Sequence, residues 1–274
     1  MFRVASLWVQ YKRRNDRAGG IRFGDAHLLQ MSMIPKENTH ATDQLAEEAV
    51  REIEEGMVIG LGTGRAASRA IRALAAKVKT EGFTAIRCVA TSDRSAELAR
   101  SLGLTVLEMR VVAWVDLLFD GVDELDPNLA MTKGGGGAMT REKIVAEAAT
   151  RRFYLMQQSK VVSQLGEHAS LPIEVLEFAM ASVKRRLDKE FGLASETRFE
   201  MSESRRMVRT DDGNLILDCI YGEAARGELR VLDHALNSIP GVVGHGLFVD
   251  QADVVLIEDD EGKGRPLERR ERSS

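Results

Sequence analysis

Apolar positions along the chain recur with two alternating periods. Over 43–55, Leu45, Ala49, Val50 and Ile53 return at helical spacing, and Gly56 closes that helix before a short apolar run over 57–61. The alternation continues with a helix over 68–78, a strand over 85–90, a helix over 92–102, and strands over 105–107 and 115–119. Short, continuously apolar strands between amphipathic helices predict a parallel sheet covered on its faces. Such sheets gather their ligand-binding loops at the carboxyl ends of the strands.

Beyond Lys160 the pattern changes. Residues 171–175 read as a strand and 178–191 as a helix; the turn Asp211-Asp212-Gly213-Asn214 leads into an extended run over 214–219, and a helix follows over 229–239. Pro240-Gly241 marks a turn before the apolar runs 242–248 and 254–257, which read as a return to the first sheet. The expected organisation is an α/β catalytic domain over 41–166 and 239–262, with a smaller α+β unit inserted at 167–238. Residues 1–40, rich in arginine and without a sustained apolar period, read as an extension, and 263–274 as a charged, frayed tail. The arginine-rich start lacks the Ser-rich amphipathic pattern of an organelle-targeting peptide.

Composition narrows the function classes. With 44% hydrophobic and 29% charged residues and five prolines, the chain is a soluble globular type rather than a disordered, collagen-like or coiled-coil one. Forty-two acidic against 38 basic residues give a net charge of −4, so no surplus of positive charge is available to hold nucleic acid. A bound anion must be met by local groups. Cys88 and Cys219 have no metal-ligand spacing, which suits a reducing compartment, the cytoplasm. No apolar run approaches the roughly 18 to 20 residues that a membrane span requires.

Three segments carry candidate chemistry. Gly60-Leu61-Gly62-Thr63-Gly64 joins a strand to a helix, where bare backbone and a helix N-terminus can face an anion. Gly62-x-Gly64-x-x-Ala67 also satisfies a dinucleotide fingerprint, although the expected acid about 20 residues on is replaced by the more distant Asp93. Asp120-Gly121-Val122-Asp123-Glu124-Leu125-Asp126 sets four carboxylates at a strand end, as an acidic turn or a site; its spacing does not match a calcium loop. Lys133 is followed by Gly134, Gly135, Gly136 and Gly137, and then by a helix with Glu142 in its first turn. Four successive glycines cost conformational entropy and imply close backbone approach to something, with a base and a cation flanking the loop. Ser159-Lys160 adds a second cation after one more strand-length, whereas His168, His234 and His245 have no mutual spacing that suggests ligation.

The blocks G-L-G-T-G (60–64), T-S-D (91–93), D-G-V-D-E (120–124), K-G-G-G-G-A-M-T-R-E-K (133–143), S-K (159–160), L-P-I-E-V (171–175) and I-P-G-V-V-G-H-G-L-F (239–248) resemble, in order and spacing, the A-type ribose-5-phosphate isomerases. The resemblance runs over 41–262. It implies a doubly wound, mostly parallel sheet with a smaller lid domain, a homodimer or homotetramer, and interconversion of D-ribose 5-phosphate and D-ribulose 5-phosphate without metal or organic cofactor. It further implies Glu142 as catalytic base, Asp120 and Asp123 as a carboxylate pair, Lys133 as the active-site lysine and Lys160 as a substrate-holding lysine. Thr63, Gly64, Arg65 and Ala66 match the substrate loop, with Gly121, Val122 and Gly134 to Gly136 beside them.

Departures mark a divergent member. Arg65-Ala66 stands where the family continues Ser-Thr, Gln157 where it has Asp, Val122 within a D-G-A-D motif, and Thr42 where an N-terminal lysine is common. The alternatives are another aldose phosphate as substrate, a non-catalytic sugar-phosphate sensor, and a nicotinamide-dependent dehydrogenase built on the Gly62 loop.

Overall fold

The computed structural model describes residues 43–201, 206–222, 227–259, 261–262 and 264–268. The expectations for residues 1–40, for the alignment at Thr42 and for the tail beyond 268 lie outside the described residues.

A seven-stranded sheet forms the base of the fold. Its strands are β1 (Val58–Leu61), β2 (Arg87–Ala90), β3 (Thr105–Val106), β4 (Val115–Gly121), β7 (Ala149–Gln157), β13 (Val254–Glu258) and β14 (Gly264–Glu268), in the spatial order β14-β13-β7-β4-β1-β2-β3. All neighbours are parallel except β13 and β14. From β1 the chain builds outward through β2 to β3, then returns to the other side of β1 with β4. The strand order therefore reverses between β1 and β4, and the carboxyl ends of strands at such a switch point are where sheets of this type generally bind ligands.

Helices cover both faces, as a doubly wound sheet requires. On one face α1 (Gln44–Val50), α2 (Arg65–Glu81) and α3 (Asp93–Ser101) pack Leu45, Ile71, Leu74 and Ala99 against Ile59, Leu61, Phe119 and Leu155. On the other, α4 (Met139–Ala148) sets Val145 and Ala146 against Leu118, Tyr154 and Phe248. Local chemistry sets the helix ends. Asp43 caps α1 by accepting from Ala46 N–H, Ser92 caps α3 by accepting from Ser95 N–H, and α2 stops at Gly82 in the left-handed region. No helix among the described residues is long and apolar enough to cross a membrane.

A second, antiparallel sheet has the order β11-β8-β10-β9, built from β8 (Leu171–Val175), β9 (Ala194–Thr197), β10 (Leu215–Ile220) and β11 (Val242–His245). Helices α5 (Met180–Phe191) and α6 (Leu229–Asn237) bury Val183, Leu187, Leu232 and Leu236 against its Ile173, Val175, Leu215 and Leu217. A third sheet of three very short strands, β12-β6-β5, comprises β5 (Glu124–Leu125), β6 (Met131–Thr132) and β12 (Leu247–Phe248).

Two expectations are corrected. The run 242–248 does not rejoin the large sheet: it divides between β11, paired with β8, and β12, paired with β6. Gly246 makes the break, donating its N–H to Pro172 O and accepting from Lys133 N–H, each at 2.8 Å. Residues 264–268 are not frayed but form the edge strand β14 along β13. Pro266, which lacks an N–H, is tolerated because the strand lies at the sheet edge.

Candidate active site

Three segments meet at the carboxyl ends of β1 and β4: the 62–64 loop, the acidic segment after β4, and the 134–137 turn that leads into α4. Asp120, in β4, turns one carboxylate oxygen toward the first loop, where Oδ1 accepts from Thr63 N–H at 2.9 Å and from Gly121 N–H at 2.7 Å. This contact explains Gly62, since a Cβ there would lie 2.2 Å from Asp120 Oδ1. The Thr63 hydroxyl joins Thr91 Oγ1 and Ser92 Oγ at 2.7 and 2.8 Å, tying the loop to the end of β2.

Lys133 follows β6 and is 2% exposed. Its ammonium donates to Gly121 O at 2.5 Å and lies 3.0 Å from Asp120 Oδ2 and 3.4 Å from Glu142 Oε2. The rings of Tyr154 and Phe248 stand 5.5 Å from Nζ by centroid, so carboxylates and aromatic faces surround the cation. Gly134 takes φ +93° to swing the chain from Lys133 into the turn, and a Cβ there would strike Met139 and Pro172 at 2.8 Å. Gly135 N–H, next along, donates to Asp123 Oδ2 at 2.8 Å.

Glu142 sits in the first turn of α4 with its carboxylate buried. Its Oε2 and Asp120 Oδ2 accept no hydrogen bond. Two carboxylates therefore share one ammonium through these two oxygens. Burial pushes the Glu142 carboxyl up to about 8; Lys133 pulls it down, while Asp120 and Asp123 push it further up. Burial raises Asp120 as well, against the pull of Lys133 and its two N–H donors. For Lys133, burial alone would depress the ammonium, but the Asp120 and Glu142 carboxylates prevail and hold it above the ordinary lysine value. The site thus pairs a carboxyl that titrates near neutrality with a cation that stays charged, suited to abstracting a weakly acidic carbon proton and stabilising the oxyanion that results.

Lys160 donates to Val122 O, and its ammonium is lowered by burial, with Asp123 opposing and Lys133 and Arg65 adding repulsion. Thr63, Asp120, Gly121, Asp123, Lys133, Gly134, Gly135, Glu142 and Lys160 are brought together, and Gly136 faces the Thr63 methyl. Gly64 is the exposed residue preceding α2, and Arg65 stands exposed at that helix's start. Half-buried Ala66, in the first turn of α2, packs against the core, and Val122 offers its carbonyl to Lys160 while its side chain is buried. Of the amides in the first loop, Thr63 N–H is engaged by Asp120.

Sequence reasoning missed Tyr154, Phe248 and Arg198. Tyr154 pairs with Asp120 in the β4–β7 register, a relation hidden until the strand pairing is known. Arg198 donates to Gly134 O and Gly135 O, each at 3.1 Å, and reaches them from the segment after β9, to which no local motif points.

Comparison with known proteins agrees with this geometry. The family described as ribose 5-phosphate isomerase A (phosphoriboisomerase A) matches residues 87–262. The ribose-5-phosphate isomerase A of Caulobacter vibrioides is 45% identical over 219 residues, covering 79% of this chain and 92% of the relative, and that of Roseiflexus castenholzii is 43% identical over 217 residues, covering 79% and 91%. Among solved structures, ribose 5-phosphate isomerase A from Methanocaldococcus jannaschii superposes with a TM-score of 0.76 at 35% identity, covering 83% of this chain and 97% of that one. A D-ribose-5-phosphate isomerase in complex with phospho-erythronic acid gives 0.77 at 35% identity with the same coverage. With a family match over most of its length, relatives above 40% identical and the same fold as solved members, the chain belongs to the ribose 5-phosphate isomerase A family.

Proposed function

We propose that Glu142 is the base with which this chain, as a ribose-5-phosphate isomerase, interconverts D-ribose 5-phosphate and D-ribulose 5-phosphate. The observation that carries the reading is the buried Glu142–Lys133–Asp120 cluster, in which an unsolvated carboxylate lies 3.4 Å from a permanently charged ammonium. In the open-chain aldose, Glu142 takes the proton from C2 while the C1 carbonyl electrons move onto O1. Lys133 faces the enediolate oxygen as its charge develops. Glu142 then returns a proton to C1; O1 gains a proton and O2 loses one, leaving the carbonyl at C2. No electrons leave the sugar, so the chemistry needs no external oxidant or reductant.

Asp120 and Asp123 are assigned to the sugar hydroxyls, and Lys160, Arg65 and the Gly64 end of the first loop to the phosphate. Arg65 supplies a guanidinium where relatives of this type offer small hydroxyls, a charge-assisted donor suited to phosphate. The unit built on the antiparallel sheet is taken as the lid, the working assembly as a homodimer or homotetramer and the compartment as the cytoplasm, all three as the family resemblance implies.

Incubation with D-ribose 5-phosphate in deuterated water tests the reading. The expected product is D-ribulose 5-phosphate carrying solvent deuterium at C1. Ligand-induced stabilisation without ketose or label would overturn it in favour of a sensor, and turnover of a different aldose phosphate alone would reassign the substrate.

A further inference from the structure

Glu142 Oε2 meets the Lys133 ammonium at a long 3.4 Å and no closer donor, so where its carboxylate sits depends strongly on the position of its helix. That helix begins at Met139 without a side-chain cap, and Glu142 lies on its buried face between Met139 and Val145. The residues on either side of Glu142 in sequence are nevertheless fastened. Thr140 Oγ1 donates to the buried Glu174 in β8, and Lys143 Nζ donates to Leu247 O at 2.7 Å and pairs with Asp233 at 3.2 Å.

The most extensive attachment belongs to Arg141. Its guanidinium grips Asp212 with Nε at 3.0 Å and Nη2 at 2.8 Å, and places Nη1 2.8 Å from Asp93 Oδ1 and 3.4 Å from Asp211 Oδ2. Asp211 also accepts from Asp93 N–H at 2.8 Å, so the 210–214 turn, the start of α3 and the start of α4 are joined at one guanidinium. The other side of the same turn is anchored too: Thr210 Oγ1 and Asn214 Nδ2 donate to Glu174 at 2.7 and 2.8 Å, the carboxylate that also holds Thr140. One hairpin turn of the antiparallel sheet is thereby tied, through two neighbouring residues, to the turn of helix that bears the base.

We propose that Arg141 is a positioning residue for Glu142, working through its forked ion pair with the 210–214 turn, principally Asp212. The proposal rests on the reading of Glu142 as the base. Its physical basis is that a partly exposed ion pair adds little to global stability, whereas a displacement of about 1 Å at a reacting group costs up to about a hundredfold in rate. Arg141 is 30% and Asp212 45% exposed at the side chain, so the pair is solvated enough for its loss to leave the fold standing.

The test uses Arg141→Met, Asp212→Ala and the double variant in the full chain, with kcat and KM for D-ribose 5-phosphate and the thermal midpoint measured for each. Arg141→Met is expected to lower kcat about tenfold and Asp212→Ala about threefold, both with KM within about twofold. Asp212→Ala is expected to cost nothing further in the Arg141→Met background, as residues acting through one contact are not additive. Unchanged kcat in Asp212→Ala, multiplying losses in the double variant, or a kcat loss that follows the loss of folded protein would each overturn the proposal. An inactive wild-type chain would instead defeat the isomerase reading itself.

Discussion

Glu124 and Glu142 are both buried carboxylates, at 0% and 4% exposure, and the fold treats them in opposite ways. Glu124 accepts three backbone N–H groups, from His168 and Ala169 at Oε1 and from Gly166 at Oε2, at 2.5 to 2.8 Å. It closes the 166–169 loop as a backbone strut. Glu142 meets a single cation at 3.4 Å and accepts no hydrogen bond at Oε2. The fold can therefore satisfy a buried carboxylate, and the deprivation at 142 falls at the residue proposed as the base. A satisfied group contributes to stability; an unsatisfied one stores free energy that substrate can draw on.

The sharpest break in this comparison is Glu142→Gln. Its kcat is expected to fall by at least about a hundredfold, the usual order for loss of a general base, with KM little changed, as steady-state assays with D-ribose 5-phosphate would register. The fold should not suffer. Between the ordinary carboxylate value and about 8 the folded chain retains a proton that the unfolded chain has lost, so this group's contribution to stability declines as pH rises through that window. Thermal melts of Glu142→Gln should lack that decline.

The reverse outcome is expected of Glu124→Gln. An amide placed against three N–H donors keeps one acceptor and turns an NH2 toward the rest, so denaturant unfolding should show a loss of about 1–3 kcal/mol. Its kcat should remain within a few-fold of wild type. A large kcat loss with unchanged stability would erase the distinction between strut and base.

The two residues also show how far the sequence can be read. Helices between buried strands, the loop at 62–64 and the lysine–glycine–glutamate block are local signals, and the site they mark is assembled where β1 and β4 part. Within the acidic segment, however, four carboxylates look equivalent. The structure separates them: Asp120 meets Lys133, Asp123 accepts from Gly135 N–H, Glu124 serves the 166–169 loop, and Asp126 accepts from Asn128 and Ala130 N–H within its own turn. These roles depend on which way each side chain leaves the backbone and on what the rest of the chain brings there. The division of 242–248 between two sheets was hidden for the same reason, because it follows from backbone bonds to Pro172 and Lys133, remote in sequence. Arg198 and Arg141 are likewise defined by partners that only the assembled fold supplies.

The central claim is that burial beside a single shared cation makes Glu142 a base poised near neutral pH, and the pH dependence of kcat/KM addresses it most directly. With Lys133 charged throughout, kcat/KM should rise tenfold per pH unit and level off at an apparent pKa near 8, and the residual activity of Glu142→Gln should lack that limb. A limb in the ordinary carboxylate range near 4 to 5, or one near 8 that persists in Glu142→Gln, would contradict the account.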